Sequence, residues 1–167
     1  SITKAGRVLG VRVETVPPAD SASGCVDVAM LDDQLDIMQA QGVTRPIVVG
    51  TLGGTVNGHV DNIAALGELC RRRGAWLHVD AIWGAALAYS TVPTTRRFLD
   101  GLKHADSVSL GPQKWLFAPR LCALTLFPKM TSQPAFDDTL AFVMPYSARQ
   151  QGDDGLDTVL HANRGSW

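Results

Sequence analysis

Two residues, Asp80 and Lys114, are of types and in places that could do chemistry. Asp80 falls near the end of Trp76-Leu77-His78-Val79-Asp80-Ala81, a run that otherwise reads as a buried strand. A carboxylate there loses hydration and needs a cation or hydrogen bonds to offset the loss. Lys114 follows the next strand-like run, Ser107 to Leu110, behind Gly111-Pro112-Gln113 and ahead of Trp115. A lysine in apolar company gives up its proton more readily and can attack a carbonyl carbon. Each residue also has a plainer reading, Asp80 as the cap of the following turn and Lys114 as a surface charge. Together, at the ends of successive strands, they point to a site.

The elements that must position them can be read from period and punctuation. Ile2 to Leu9 is helical in pattern and stops at Gly10; Val11 to Val16 alternates apolar and polar as a half-buried strand does. Asp27 suits the N-cap of a helix through Ala40, with Leu31, Leu35 and Met38 on one stripe and Gly42 beyond its end. Pro46 to Leu52 reads as a buried strand, followed by a loop holding Gly53, Gly54 and Gly58. Asp61 can cap a helix from Asn62 to Arg73, stopped by Gly74. Trp76 to Ala81 is a second strand, Thr94 to Leu102 a helix, Ser107 to Leu110 a third strand and Leu121 to Phe127 a fourth. Strands separated by helices imply parallel pairing and an α/β layered fold. Ligands of such sheets bind beyond the carboxyl ends of the strands, which draws attention to Thr51–Thr55, Asp80–Gly84 and Gly111–Lys114.

Three segments carry a family resemblance: GTLGGTVNGHVDNI, WLHVDAIWGAAL and ADSVSLGPQKWLFAPRLCALTLF. They resemble the group II amino-acid decarboxylases, pyridoxal-phosphate enzymes of the aspartate-aminotransferase-like fold. The resemblance runs from about residue 1 to residue 128, and its most specific part is HVDA followed by a proline, one residue and KW. It implies a three-layer α/β/α domain with a mostly parallel sheet. Residues 1–130 would be the central and C-terminal part of the large cofactor-binding domain, and 131–167 its tail or a linker toward a small domain. It implies that Lys114 carries pyridoxal 5'-phosphate as a Schiff base, and that Asp80 pairs with the pyridine nitrogen and keeps it protonated. His78, on the same strand face as Asp80, would orient the acid or else be a core histidine without a role, and Thr55 would lie near the cofactor or else satisfy a local turn with its hydroxyl. The implied reaction is decarboxylation of an L-amino acid, by a homodimer when the protein is full length; the scattered cysteines make a reducing cytoplasm the default.

The chain also departs from the family pattern. Gln113 stands where histidine is usual, Gly111 where Asn or Asp is common, and Ile82 where a small alanine packs on the cofactor ring. Gln113 can hydrogen-bond a phosphate but cannot shuttle a proton near neutral pH as histidine can. These changes point to altered substrate choice or weakened activity. Family chains are more than twice this long, so the 167 residues read as an incomplete fragment, unable to decarboxylate alone. A non-catalytic or interface role is the alternative. A nicotinamide-dinucleotide unit is a lesser one, because Gly50, Gly53, Gly54 and Gly58 do not match GxGxxG.

Composition narrows the rest. A net charge of −1 leaves no electrostatic footprint for nucleic acid or an anionic membrane. No apolar run reaches the ~18 residues that span a bilayer, and the first residues lack a signal-peptide pattern. Cys25, Cys70 and Cys122 form no CxxC. His59, His78 and Asp80 are metal-ligand types without a metal-site spacing, so no metal is expected. His104 reads as solvent-facing, and Trp76, Trp83 and Trp115 as core or pocket wall.

Overall fold

The computed structural model describes residues 2–119 and 122–127. Helix α1 spans Ile2–Leu9 and α2 Val28–Ala40; strand β1 spans Ile47–Thr51, α3 Ile63–Arg73 and β2 Trp76–Asp80. A 3-10 helix Gly84–Tyr89, α4 Pro93–Arg96 and a second 3-10 helix Arg97–His104 lead to β3 Ser107–Leu110 and β4 Leu124–Leu126. The strands lie in the order β1-β2-β3-β4. The first two pairings are parallel, and β4 joins β3 antiparallel. The flanking helices and mostly parallel sheet are those of an α/β fold. No helix among the described residues is long and apolar enough to cross a membrane.

The core lies between one sheet face and α3. Ile63, Leu66, Gly67 and Cys70 recur at helical spacing and are all buried. They pack toward Val48 of β1 and toward Leu77 and Val79 of β2 in one apolar cluster. Gly50 permits the approach, since a Cβ there would sit 2.8 Å from Leu66 Cδ1 and 3.1 Å from Ile63 Cδ1. Helix α2 adds Leu31 and Leu35 to the cluster, and Arg73 of α3 ties it to Asp32 and Asp36 on its outer side. Asp27 caps α2 by accepting from the Ala29 and Met30 amides, as its position predicts.

Several expectations need correction. Val11 to Val16 forms no strand: Val13 and Val16 are half-buried while Val11, Arg12, Glu14 and Thr15 are exposed, and α1 packs its Gly6 against Val13. A period-two pattern makes a strand only where a neighbouring edge can pair with it. The cap of α3 is Asn62, not Asp61. Asp61 is buried instead, and its two oxygens accept from the Val26 amide at 2.8 Å and the Thr51 amide at 2.7 Å. It thus ties the segment before α2 to the end of β1. The helix expected at 94–102 is a short α-helix continued as 3-10, and the turn of helix at 84–89 was not foreseen. His104 is half-buried over Gly67 rather than solvent-facing. The fourth strand is shorter than Leu121 to Phe127 and antiparallel to its neighbour. The tail at 131–167 lies outside the described residues, as does Leu121.

Candidate active site

Strand register assembles the site. In paired strands, partners stand side by side and share a face. Thr51 pairs with Asp80, Asp80 with Ser109, and Ser109 with Thr125, so one polar row crosses all four strands. The Ser109 hydroxyl donates to Asp80 Oδ1 at 3.4 Å, and the Ile82 amide donates to the same oxygen at 3.2 Å. Among the described residues, Oδ2 takes no such bond. One step back on the same face, His78 pairs with Ser107. The Trp76 indole N–H donates to Ser107 Oγ at 2.9 Å, and His78 Nδ1 lies 2.8 Å from that hydroxyl. Burial holds the His78 imidazole below its ordinary value, against the opposing pull of the Asp80 charge.

Backbone bonds then lace the strand ends together. The Leu52 amide donates to Asp80 O at 2.9 Å, and the Gly84 amide to Leu52 O at 3.0 Å. The Ala81 amide donates to Ser109 O at 3.0 Å, and the Gly111 amide to Ile82 O at 3.3 Å. Lys114 sits in a tight turn just beyond β3, its own amide donating to Gly111 O at 2.9 Å. The lysine Nζ lies 5.0 Å from the centroid of the Trp83 ring, and Trp83 meets Trp115 edge to face at 6.2 Å. The turn closes with Phe117 at a left-handed φ of 53°, a costly conformation for a non-glycine residue.

Two of the departures noted above prove to be one feature. A Cβ at Gly111 would lie 2.9 Å from Ile82 Cγ2, 3.2 Å from Ile82 O and 3.1 Å from Gln113 Oε1. The isoleucine branch occupies the space that a side chain at position 111 would need. Gln113 Oε1 is itself buried and has no hydrogen-bond partner among the described residues. An amide so placed can turn its oxygen or its NH2 to a ligand.

Asp80, His78, Ile82, Gly111, Gln113 and Lys114 thus fall at the carboxyl ends of β2 and β3 or on the face leading to them. Thr55 does not join them. It is exposed in the turn after β1, and its hydroxyl makes no hydrogen bond among the described residues. Ser107, Ser109 and Asp61 join these residues without being candidates in the sequence. The serines carried a usable signal, because SVSL alternates in phase with WLHVD and so places both on the face of His78 and Asp80. The buried role of Asp61 carried none, since its partners are amides distant in sequence. The donor set suits pyridoxal phosphate: an amine for its aldehyde, a carboxylate oxygen for its ring nitrogen, and an unpartnered amide oxygen on Gln113.

Comparison with known proteins agrees. Residues 1–151 match the model of the pyridoxal-dependent decarboxylase conserved domain. Rat cysteine sulfinic acid decarboxylase is 38% identical over 128 residues, which are 75% of this chain and 25% of that protein. Bovine aromatic-L-amino-acid decarboxylase is 32% identical over 160 residues, 95% of this chain and 31% of the relative. The crystal structure of mouse CSAD in apo form superposes with a TM-score of 0.72 at 32% identity, over 95% of this chain and 31% of that one. The chain therefore spans about a quarter to a third of the length of these relatives. With its family model matched along most of its length and its lysine and acid at adjoining strand ends, the chain belongs to the pyridoxal-dependent decarboxylase family.

Proposed function

We propose that this chain supplies the cofactor-binding core of a pyridoxal-phosphate-dependent L-amino-acid decarboxylase, with Lys114 and Asp80 as its catalytic residues. The observation that carries the reading is the convergence of a lysine-bearing turn and an anchored carboxylate at the carboxyl ends of two parallel strands. When bound, pyridoxal phosphate supplies a sink for the electron pair left as carbon dioxide departs. Asp80 would be the charge that pairs with the ring nitrogen and favours the protonated ring. Ser109 and the Ile82 amide hold one of its oxygens, which fixes the direction of the other. Lys114 would hold the cofactor through its amine, and the same amine, when free, could hold or return a proton. Ile82, Gly111 and Gln113 shape the wall of the turn that carries the lysine, and His78 stands behind Asp80 on the same strand face.

Two relatives are named for different amino acids, a sulfinate and an aromatic, so the class read here is the L-amino acid and no narrower. We also assign a homodimer and a cytoplasmic location. The free cysteines Cys25, Cys70 and Cys122 suit a reducing compartment. Cys70 is kept inert by burial, which with the Asp106 charge pushes its thiol up to about 11.

The test is covalent capture. Borohydride reduction of the chain mixed with pyridoxal phosphate is expected to fix the cofactor on the peptide containing Lys114, and Lys114→Ala to abolish that label. A second reading, a non-catalytic member of the family, draws on Gln113 and on the narrowing at Ile82. It stands if wild-type and Lys114→Ala chains label alike.

A further inference from the structure

We propose that Ser107, held by the indole N–H of Trp76, fixes His78 as the neutral imidazole protonated on Nε2, and is a positioning residue of the polar sheet face. The indole N–H is a donor only, so its 2.9 Å bond occupies one lone pair of Ser107 Oγ. Ser107 is 3% exposed, and its own hydroxyl proton is shut off from water. Among the described residues the acceptor within reach is His78 Nδ1, at 2.8 Å. The hydroxyl therefore donates to Nδ1. A neutral ring that accepts there carries its proton on Nε2. The reverse arrangement, with Nδ1–H donating to Ser107, would strand a buried hydroxyl proton without an acceptor. An imidazolium would do the same, because it has no acceptor nitrogen at all. Desolvation acts in the same sense, holding His78 toward its neutral form.

The consequence concerns Asp80, two residues on along the same strand and on the same face. A charged His78 would set a cation beside that carboxylate and compete with any cationic group of a ligand. The neutral ring leaves the charge of Asp80 to the ligand. This consequence rests on the proposed cofactor reading; the tautomer does not.

Nitrogen-15 histidine labelling of the 167-residue chain, read by long-range proton–nitrogen correlation at neutral pH, tests it. The His78 signals are those lost in His78→Gln. The Nε2–H form is expected to outweigh the Nδ1–H form by about tenfold or more, a ratio within the cost of stranding a buried hydroxyl proton. Ser107→Ala should lower that ratio toward the modest Nε2–H preference of a free neutral imidazole, while Ser107→Thr, which keeps the hydroxyl, preserves the wild-type pattern. A wild-type spectrum dominated by Nδ1–H or imidazolium overturns the proposal, as does a Ser107→Ala spectrum unchanged from wild type. If Ser107→Ala does not fold, the wild-type pattern decides alone. Failure of borohydride labelling with the Nε2–H pattern intact would remove the cofactor reading and leave this inference standing.

Discussion

The two faces of β2 come from one five-residue strand and have opposite characters. Leu77 and Val79 point to α3 and are fully buried, whereas Trp76, His78 and Asp80 point the other way and are half-buried among hydroxyls. The apolar face gains its energy from area removed from water, a non-directional effect that tolerates small shifts. The polar face depends on which residue stands beside which. A slip of one residue between β2 and β3 would remove Ser109 from Asp80 and Ser107 from His78 together. Stability therefore concentrates on one face, and chemistry on the other.

Substitutions that break one face and spare the other sharpen this contrast. Leu77→Ala, at a fully buried position, should cost about 2–5 kcal/mol in denaturant unfolding, the range for large-to-small core changes. Ser109→Ala removes a long, half-buried bond, and should shift unfolding by less than about 1 kcal/mol while weakening pyridoxal phosphate binding measured by titration. Comparable unfolding shifts for the two would erase the distinction. Asp61→Ala, which strips the partner from two amides at the edge of the site, should cost about 2–3 kcal/mol by the same measurement.

Next in size is Gly111→Asn, which drives a side chain into Ile82 and should cost roughly 1–3 kcal/mol as overpacking does. Ile82→Ala in the same chain should restore most of that loss, and strict additivity of the two changes would show that they do not share the space. The smallest effect is in pH. His78 titrates in the folded chain below its ordinary value of 6.5, so the unfolded chain takes up the proton first on acidification. Its contribution is complete above about pH 6.5 and is lost as pH falls through the folded value. His78→Gln should flatten that part of the stability profile; an unchanged profile would count against a desolvated His78.

Much of this molecule is local, and local features were legible. The Asp27 cap, the helical stripe of α3 and the buried strands at β1 and β2 follow from spacing and punctuation that act within a few residues. Lys114 and Asp80 were recognisable because their motif surrounds them in the chain. Other features were not legible because they are contacts between distant segments. Asp61 has the composition of a cap but finds amides 35 and 10 residues away. Val11 to Val16 has the alternation of a strand but pairs with no strand among the described residues. Gly111 and Ile82 read as two separate departures until a distance of 2.9 Å made them one.

The sequence alone determined the periods, the caps and the residue types at the strand ends, because propensity and amphipathicity are properties of short windows. Only the tertiary structure decided that Ser109 steadies Asp80, that Ser107 engages His78, and that β4 runs against β3. Those outcomes follow from register and from which buried polar groups can reach a partner, and neither is settled until the strands lie side by side.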